Sequence, residues 1–214
     1  RAKTALTQRP PLTAALGRLY NMTISSNKEN DMRRGYEKCV NGSFPNSLIK
    51  NGEFQNVGPN GASVTSISTA PGGVDAEQLS AAEHWSTLST GTITTELMPS
   101  TERPGFQMIR VQVDGPGMGL AQLFEEPPAT IPQAFAWAWI YLVSGGPVGI
   151  GMGIQAATGI DTMLAKTGSW ELLQVSNGAS PVNTLLIYTA GDGPTEFYVD
   201  AAGVHKNLSC CNPR

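Results

Sequence analysis

Residues 135–142 read Phe-Ala-Trp-Ala-Trp-Ile-Tyr-Leu, with an aromatic ring at every second position. An extended strand turns successive side chains to opposite faces, so Phe135, Trp137, Trp139 and Tyr141 share one face. Ala136, Ala138, Ile140 and Leu142 take the other. A strand apolar on both faces belongs in the middle of a sandwich, or one of its faces lines a groove. This run confines the chain to folds in which layers cover a sheet. At nine residues, 135–143 is also too short to cross a bilayer as a helix.

The rest of the chain repeats the theme with weaker signals. Short apolar runs at 47–50, 91–97, 106–113, 119–124, 148–155, 170–175, 184–189 and 196–199 predict strands. Among and ahead of them stand turn-forming clusters such as Gly58-Pro59-Asn60-Gly61, Asp114-Gly115-Pro116-Gly117 and Gly191-Asp192-Gly193-Pro194. With 133–143 these make about nine strands, and residues 51–85, rich in Gly, Ser and Ala, are expected to loop over them. Composition agrees, because only 14% of the 214 residues are charged while 24 are Gly and 15 are Pro. An all-helical fold is excluded, and a hydrophobic content of 40% is enough for a core. The expected fold is all-β, a two-sheet β-sandwich with an extended N-terminal arm.

Charge divides the chain. Residues 1–50 carry nine basic and three acidic residues, a net +6, and the other 164 carry five basic and 14 acidic, a net −9. We therefore expect a basic arm over 1–46, a sandwich over 47–206 and a short tail over 207–214. Apart from some helical character at 12–20, the arm is polar and irregular. It reads either as an appendage soluble by charge or as an anchor that docks on an acidic surface of a larger assembly. Nucleic acid is not an expected partner, since the arm's charge is scattered and Tyr20, Tyr36 and Phe44 are its only rings. Cys39, Cys210 and Cys211 are an odd set without CxxC spacing, so zinc is not expected. A bridge from Cys39 to Cys210 or Cys211 stays open for an oxidising setting. The sequence starts at Arg1 and shows no signal peptide, as expected of a processed or truncated chain. Acceptor sequons for N-glycosylation start at Asn21, Asn41 and Asn207.

Catalysis finds little support. His84 and His205 are the only histidines, and there is no Gly-x-Ser-x-Gly. His84 reads as a loop residue. Glu125 and Glu126 are neighbours, so a strand would point them to opposite faces rather than across one scissile bond. Gly151-Met-Gly153-Ile-Gln-Ala156 matches a loose dinucleotide fingerprint, but Val148, Ile150, Met152 and Ile154 alternate with its glycines at period two. A strand with one side-chain-free face accounts for it better. The chain is not expected to be an enzyme.

Several segments resemble, in order, the carbohydrate-binding modules of galactose-binding-like jelly-roll fold. Leu48-Ile-Lys-Asn51-Gly52-Glu53-Phe54-Gln55 resembles their opening strand, and Trp85 stands where they keep a tryptophan after the first long loop. Gly119-Leu-Ala-Gln122, Ala134-Phe135-Ala136-Trp137-Ala138-Trp139, Gly168-Ser169-Trp170-Glu171 and Glu196-Phe197-Tyr198-Val199-Asp200 resemble later strands, so the likeness covers about 47–204. It implies a jelly roll and non-catalytic binding of a polysaccharide or cell-surface glycan. The implied ligand residues are Trp85, Gln122, Trp137, Trp139 and Tyr141. It also implies a structural calcium near the opening and closing strands, with Glu53 and Asp200 as ligands; Gln55 and Ala201 stand where the pattern carries further acids. Whether Trp137, Trp139 and Tyr141 face a ligand or the core stays open at this level, and Trp170 reads as core. Similar modules occur beside secreted hydrolases and in tail-fibre and decoration proteins of tailed phages. By that analogy the chain sits on a virion or another extracellular assembly, a capsid or tail holding its arm. A structural decoration protein without a glycan ligand is the alternative, and self-association is left open.

Overall fold

A computed structural model describes residues 47–68, 74–88, 91–124, 131, 134–154, 157–164, 167–177 and 181–206. The arm, the three cysteines, the Glu125–Glu126 pair and the three sequons lie outside the described residues. Among the described residues there is no helix, and so none long and apolar enough to cross a membrane.

Among the described residues twelve strands form two antiparallel six-stranded sheets. In chain order they are β1 (Ser63–Ser68), β2 (Val74–Leu79), β3 (Ser86–Leu88), β4 (Gly91–Pro99), β5 (Gln107–Val113) and β6 (Gly119–Leu123). There follow β7 (Phe135–Ser144), β8 (Val148–Ile154), β9 (Ala157–Leu164), β10 (Trp170–Ser176), β11 (Thr184–Thr189) and β12 (Thr195–His205). The first sheet runs β1-β4-β5-β12-β7-β10 and the second β2-β3-β6-β11-β8-β9. The chain crosses repeatedly from one sheet to the other, the winding of a jelly roll, which leaves every ladder antiparallel.

Period two sorts the side chains of β5 and β7 as the sequence predicts. Ala136, Ala138, Ile140 and Leu142 of β7 face inward, packed in one core with Val148, Ile150 and Met152 of β8, Leu185 and Ile187 of β11, and Phe197 and Val199 of β12. Each large aliphatic or Phe side chain buried there stabilises the fold by about 1.5–3 kcal/mol. The glycines of β8 lie on the opposite face from this core, so the strand reading of 148–154 holds. Two turns fix how the sheets close. A Cβ on Gly146, after β7, would lie 2.2 Å from Gly191 Cα, before β12, so only glycine allows these turns to meet.

The structure differs from expectation at the periphery. Residues 47–50 form bends rather than a strand, although Leu48 N–H donates to Val204 O at 2.8 Å. The supposed loop over 51–85 holds β1 and β2, which with β9 are three of the four sheet edges, and ends at β3, which follows it directly. An edge strand has one ladder and needs less apolar area, so Ser-Val-Thr-Ser-Ile-Ser gives almost no hydrophobic signal. The aromatic strand β7 is not central either: it stands second from the edge, between β12 and β10.

Candidate functional site

The outer face of the first sheet carries one rank of side chains across five strands. Glu96 (β4) pairs with Arg110 (β5), Arg110 with Tyr198 (β12), Tyr198 with Tyr141 (β7), and Tyr141 with Trp170 (β10). Four steps at the usual inter-strand spacing make a line of about 19 Å. One half is aromatic. Tyr141 stacks on Tyr198 with ring centres 5.9 Å apart and planes 15° apart, and meets Trp170 at 5.5 Å. Trp139, two residues along β7, lies parallel to Trp170 at 6.5 Å and 6°. All four rings are half-buried, each with part of its surface in solvent. Tyr and Trp suit such a position because an apolar ring ends in a polar group that water can reach.

The other half is a charged net. Arg110 Nε donates to Glu196 Oε1 at 2.9 Å and its Nη1 to Glu96 Oε2 at 3.3 Å. Gln112 Nε2 donates to Glu196 Oε2 at 3.1 Å, and the Tyr198 hydroxyl to Glu196 Oε1 at 3.4 Å. Burial pushes the Glu196 carboxyl up, but hydrogen bonds from Arg110, Gln112 and Tyr198 outweigh it and hold the group below its ordinary value. The bond to Glu196 raises Arg110 in turn, while Tyr198 is raised first by burial and then by the Glu196 charge. The arrangement offers ring faces for an apolar surface beside fixed donors and acceptors.

Trp137 lies on the same outer face but is nearly enclosed. Its ring covers Gly203, where a Cβ would come within 2.6 Å of it, and its Nε1–H donates to His205 Nε2 at 3.3 Å. The fully buried Trp85 is a core residue: its ring tilts against Phe54 at 5.2 Å, and its Nε1–H donates to Asn51 O at 3.1 Å. Gln122 is buried too, its amide pairing with the backbone of Lys50 like one rung of a ladder, at 2.5 and 2.9 Å. These three expected ligand residues thus hold the fold together, and of the expected set only Trp139 and Tyr141 reach the ringed platform. Trp170, expected in the core, belongs to the platform. Tyr198, Arg110, Glu196, Gln112 and Glu96 are not among the expected ligand residues, although the alternation Met-Ile-Arg-Val-Gln-Val in β5 sets polar residues on one face. His84 is exposed, in a turn beside Glu83.

Glu53 and Asp200 do come together, but on an arginine. A bulge in β12 between Val199 and Ala201 sets Asp200 out of register with β7. Arg103, in the β4–β5 loop, donates from Nε to Asp200 Oδ2 at 2.7 Å, and from Nη2 to Oδ1 at 3.2 Å and to the Asp200 carbonyl at 2.5 Å. Nη1 reaches Glu53 Oε1 at 3.5 Å. Glu53 is carried by a loop that Asn51 pins, Nδ2 donating to Asn56 O at 2.9 Å and Glu83 O at 3.1 Å. Burial raises the Glu53 carboxyl, with the Arg103 charge opposing it and Asp200 adding to it. A structural calcium does not fit this donor set. It takes six to eight oxygens, whereas a guanidinium fills the space between these carboxylates. Among the described residues no three His, Cys, Asp or Glu side chains gather for a metal.

No protein-family model matches the chain, and no curated protein does. Among solved structures it is similar to carbohydrate-binding modules. The xylan-binding CBM22-1 domain of Paenibacillus barcinonensis Xyn10C shares 14% identity at a TM-score of 0.44, over 64% of this chain and 97% of that one. The family 11 module of Clostridium thermocellum Lic26A-Cel5E shares 11% at 0.42, over 64% and 96%. TmCBM61, solved with β-1,4-galactotriose, shares 11% at 0.36, over 75% and 99%.

Proposed function

We propose that the chain is a non-catalytic glycan-binding module that holds a polysaccharide along the outer face of the first sheet. The observation that carries this reading is the aromatic row Tyr198–Tyr141–Trp170, with Trp139 parallel to Trp170, running into the Arg110–Glu196 net. Sugar rings present C–H faces that rest on aromatic rings, and their hydroxyls need donors and acceptors held in place. Arg110 already lies between Glu96 and Glu196, so the net has no surplus positive charge for acidic sugars. The favoured ligand is a neutral polysaccharide, bound with little dependence on salt.

Retardation of the full chain in native gels containing xylan, mixed-linkage β-glucan or β-galactan tests the reading. At least one should retard it. Tyr198→Ala and Trp170→Ala, with melting temperatures near wild type, should each weaken binding by roughly 30-fold, as loss of a central anchor of about 2 kcal/mol does. Folded protein that no neutral polysaccharide retards would remove the basis for a glycan ligand.

Residues 1–46 complete the proposal as an anchor to a larger extracellular assembly, a virion included. Its support is the net +6 of residues 1–50 against the net −9 of the rest. The same contrast favours a second reading, a decoration protein that attaches through its arm and binds no glycan. Attachment without polysaccharide retardation would decide for it.

A further inference from the structure

We propose that Arg103 is a built-in cation: its guanidinium does for this fold what a bound divalent metal would do, making it independent of metal and insensitive to chelators. The argument starts from the segments that converge. The opening loop brings Glu53, the β4–β5 loop brings Arg103, and the β12 bulge brings Asp200, three pieces of chain with no shared ladder at this point. Asp200 is fully buried and Arg103 nearly so. A buried carboxylate needs a compensating charge, and Arg supplies one that neither leaves nor deprotonates.

The geometry is specific to a guanidinium. Its fork meets both oxygens of Asp200 while one of its nitrogens also reaches the Asp200 carbonyl. The Phe106 ring packs against its flat face, 4.6 Å from the ring centre to Cζ, as a ring does on a guanidinium. The backbone prepares the pose. Ser100 Oγ accepts from Arg103 N–H at 2.9 Å, and Arg103 O accepts from Phe106 N–H at 3.0 Å. Beside it the opening loop replaces β5 as the neighbour of β12, with Ala202 N–H donating to Gly52 O at 2.8 Å. The arginine thus staples the point where the loop carrying Gly52 and Glu53 joins β12.

Removing the guanidinium leaves two carboxylates and a carbonyl facing one space, which turns a metal-independent joint into one that a divalent cation can fill. Melting the full chain and Arg103→Ala, each in calcium chloride and in EDTA, tests this without any glycan. Wild type should melt within about 1 °C in the two conditions, and Arg103→Ala should melt roughly 6 °C or more lower in EDTA and recover part of that loss in calcium. A calcium-dependent rise in wild type, or equal melting of the variant in calcium and EDTA, overturns the proposal. If Arg103→Ala folds in neither condition, Arg103→Gln carries the same comparison.

Discussion

Replacing Trp85 separates the core reading of this residue from the ligand reading that its sequence position suggests. The ring is fully buried among the core residues, tilted on Phe54, with its N–H on Asn51 O. Trp85→Ala removes the whole ring, and truncating a buried aromatic residue costs about 3–5 kcal/mol. For a chain of this size each kcal/mol lowers the melting temperature by about 2–4 °C, so the expected drop is roughly 6–20 °C. Trp85→Phe keeps most of the apolar contact and deletes the donor. Asn51 O still accepts from Phe54 N–H at 3.1 Å, so this variant should lose only about 1–2 kcal/mol. Differential scanning calorimetry gives the stabilities, and polysaccharide gel retardation of the protein that remains folded should match wild type. A Trp85→Ala protein that melts like wild type yet loses binding would refute the core assignment.

Other consequences follow from single contacts. Gly203→Ala places a methyl 2.6 Å from the Trp137 ring, so the indole must leave His205; a loss of about 1–3 kcal/mol and a shifted tryptophan emission are expected, and an unchanged spectrum would contradict the packing. Glu196 titrates below its ordinary 4.5 in the folded state, so the unfolded chain binds more protons there. Its contribution is full above about pH 4.5 and is lost as pH falls through the folded value; Glu196→Gln should flatten the melting temperature against pH in that acid range.

The sandwich was legible in β5, β7, β11 and β12 and not in the short buried β3. Alternation announces the strand and its buried face in β5, and runs of apolar residues announce β7, β11 and β12, because the transfer of these side chains from water drives the fold. The edges β1, β2 and β9 were illegible for the converse reason. They are held by ladders to β4, β3 and β8, and hydrogen bonds to a neighbour leave no mark in a strand's own composition. The site was half legible. Trp139 and Tyr141 stand out by their period, but Trp85 and Trp137 carry the same residue type, and only packing tells a platform from a core.

The sequence by itself determined the class of fold, the alternation along β5 and β7 and the contrast of charge between residues 1–50 and the rest. All are local properties of composition and period. Only the tertiary structure decided that Glu96, Arg110, Tyr198, Tyr141 and Trp170 form one rank, since five strands far apart in the chain must first fall into register. Only it decided that Asp200 faces an arginine 97 residues away. The physical reason is the same in both cases: a side chain's partner is chosen by where other strands place their backbones, and spacing along one strand carries no record of that choice.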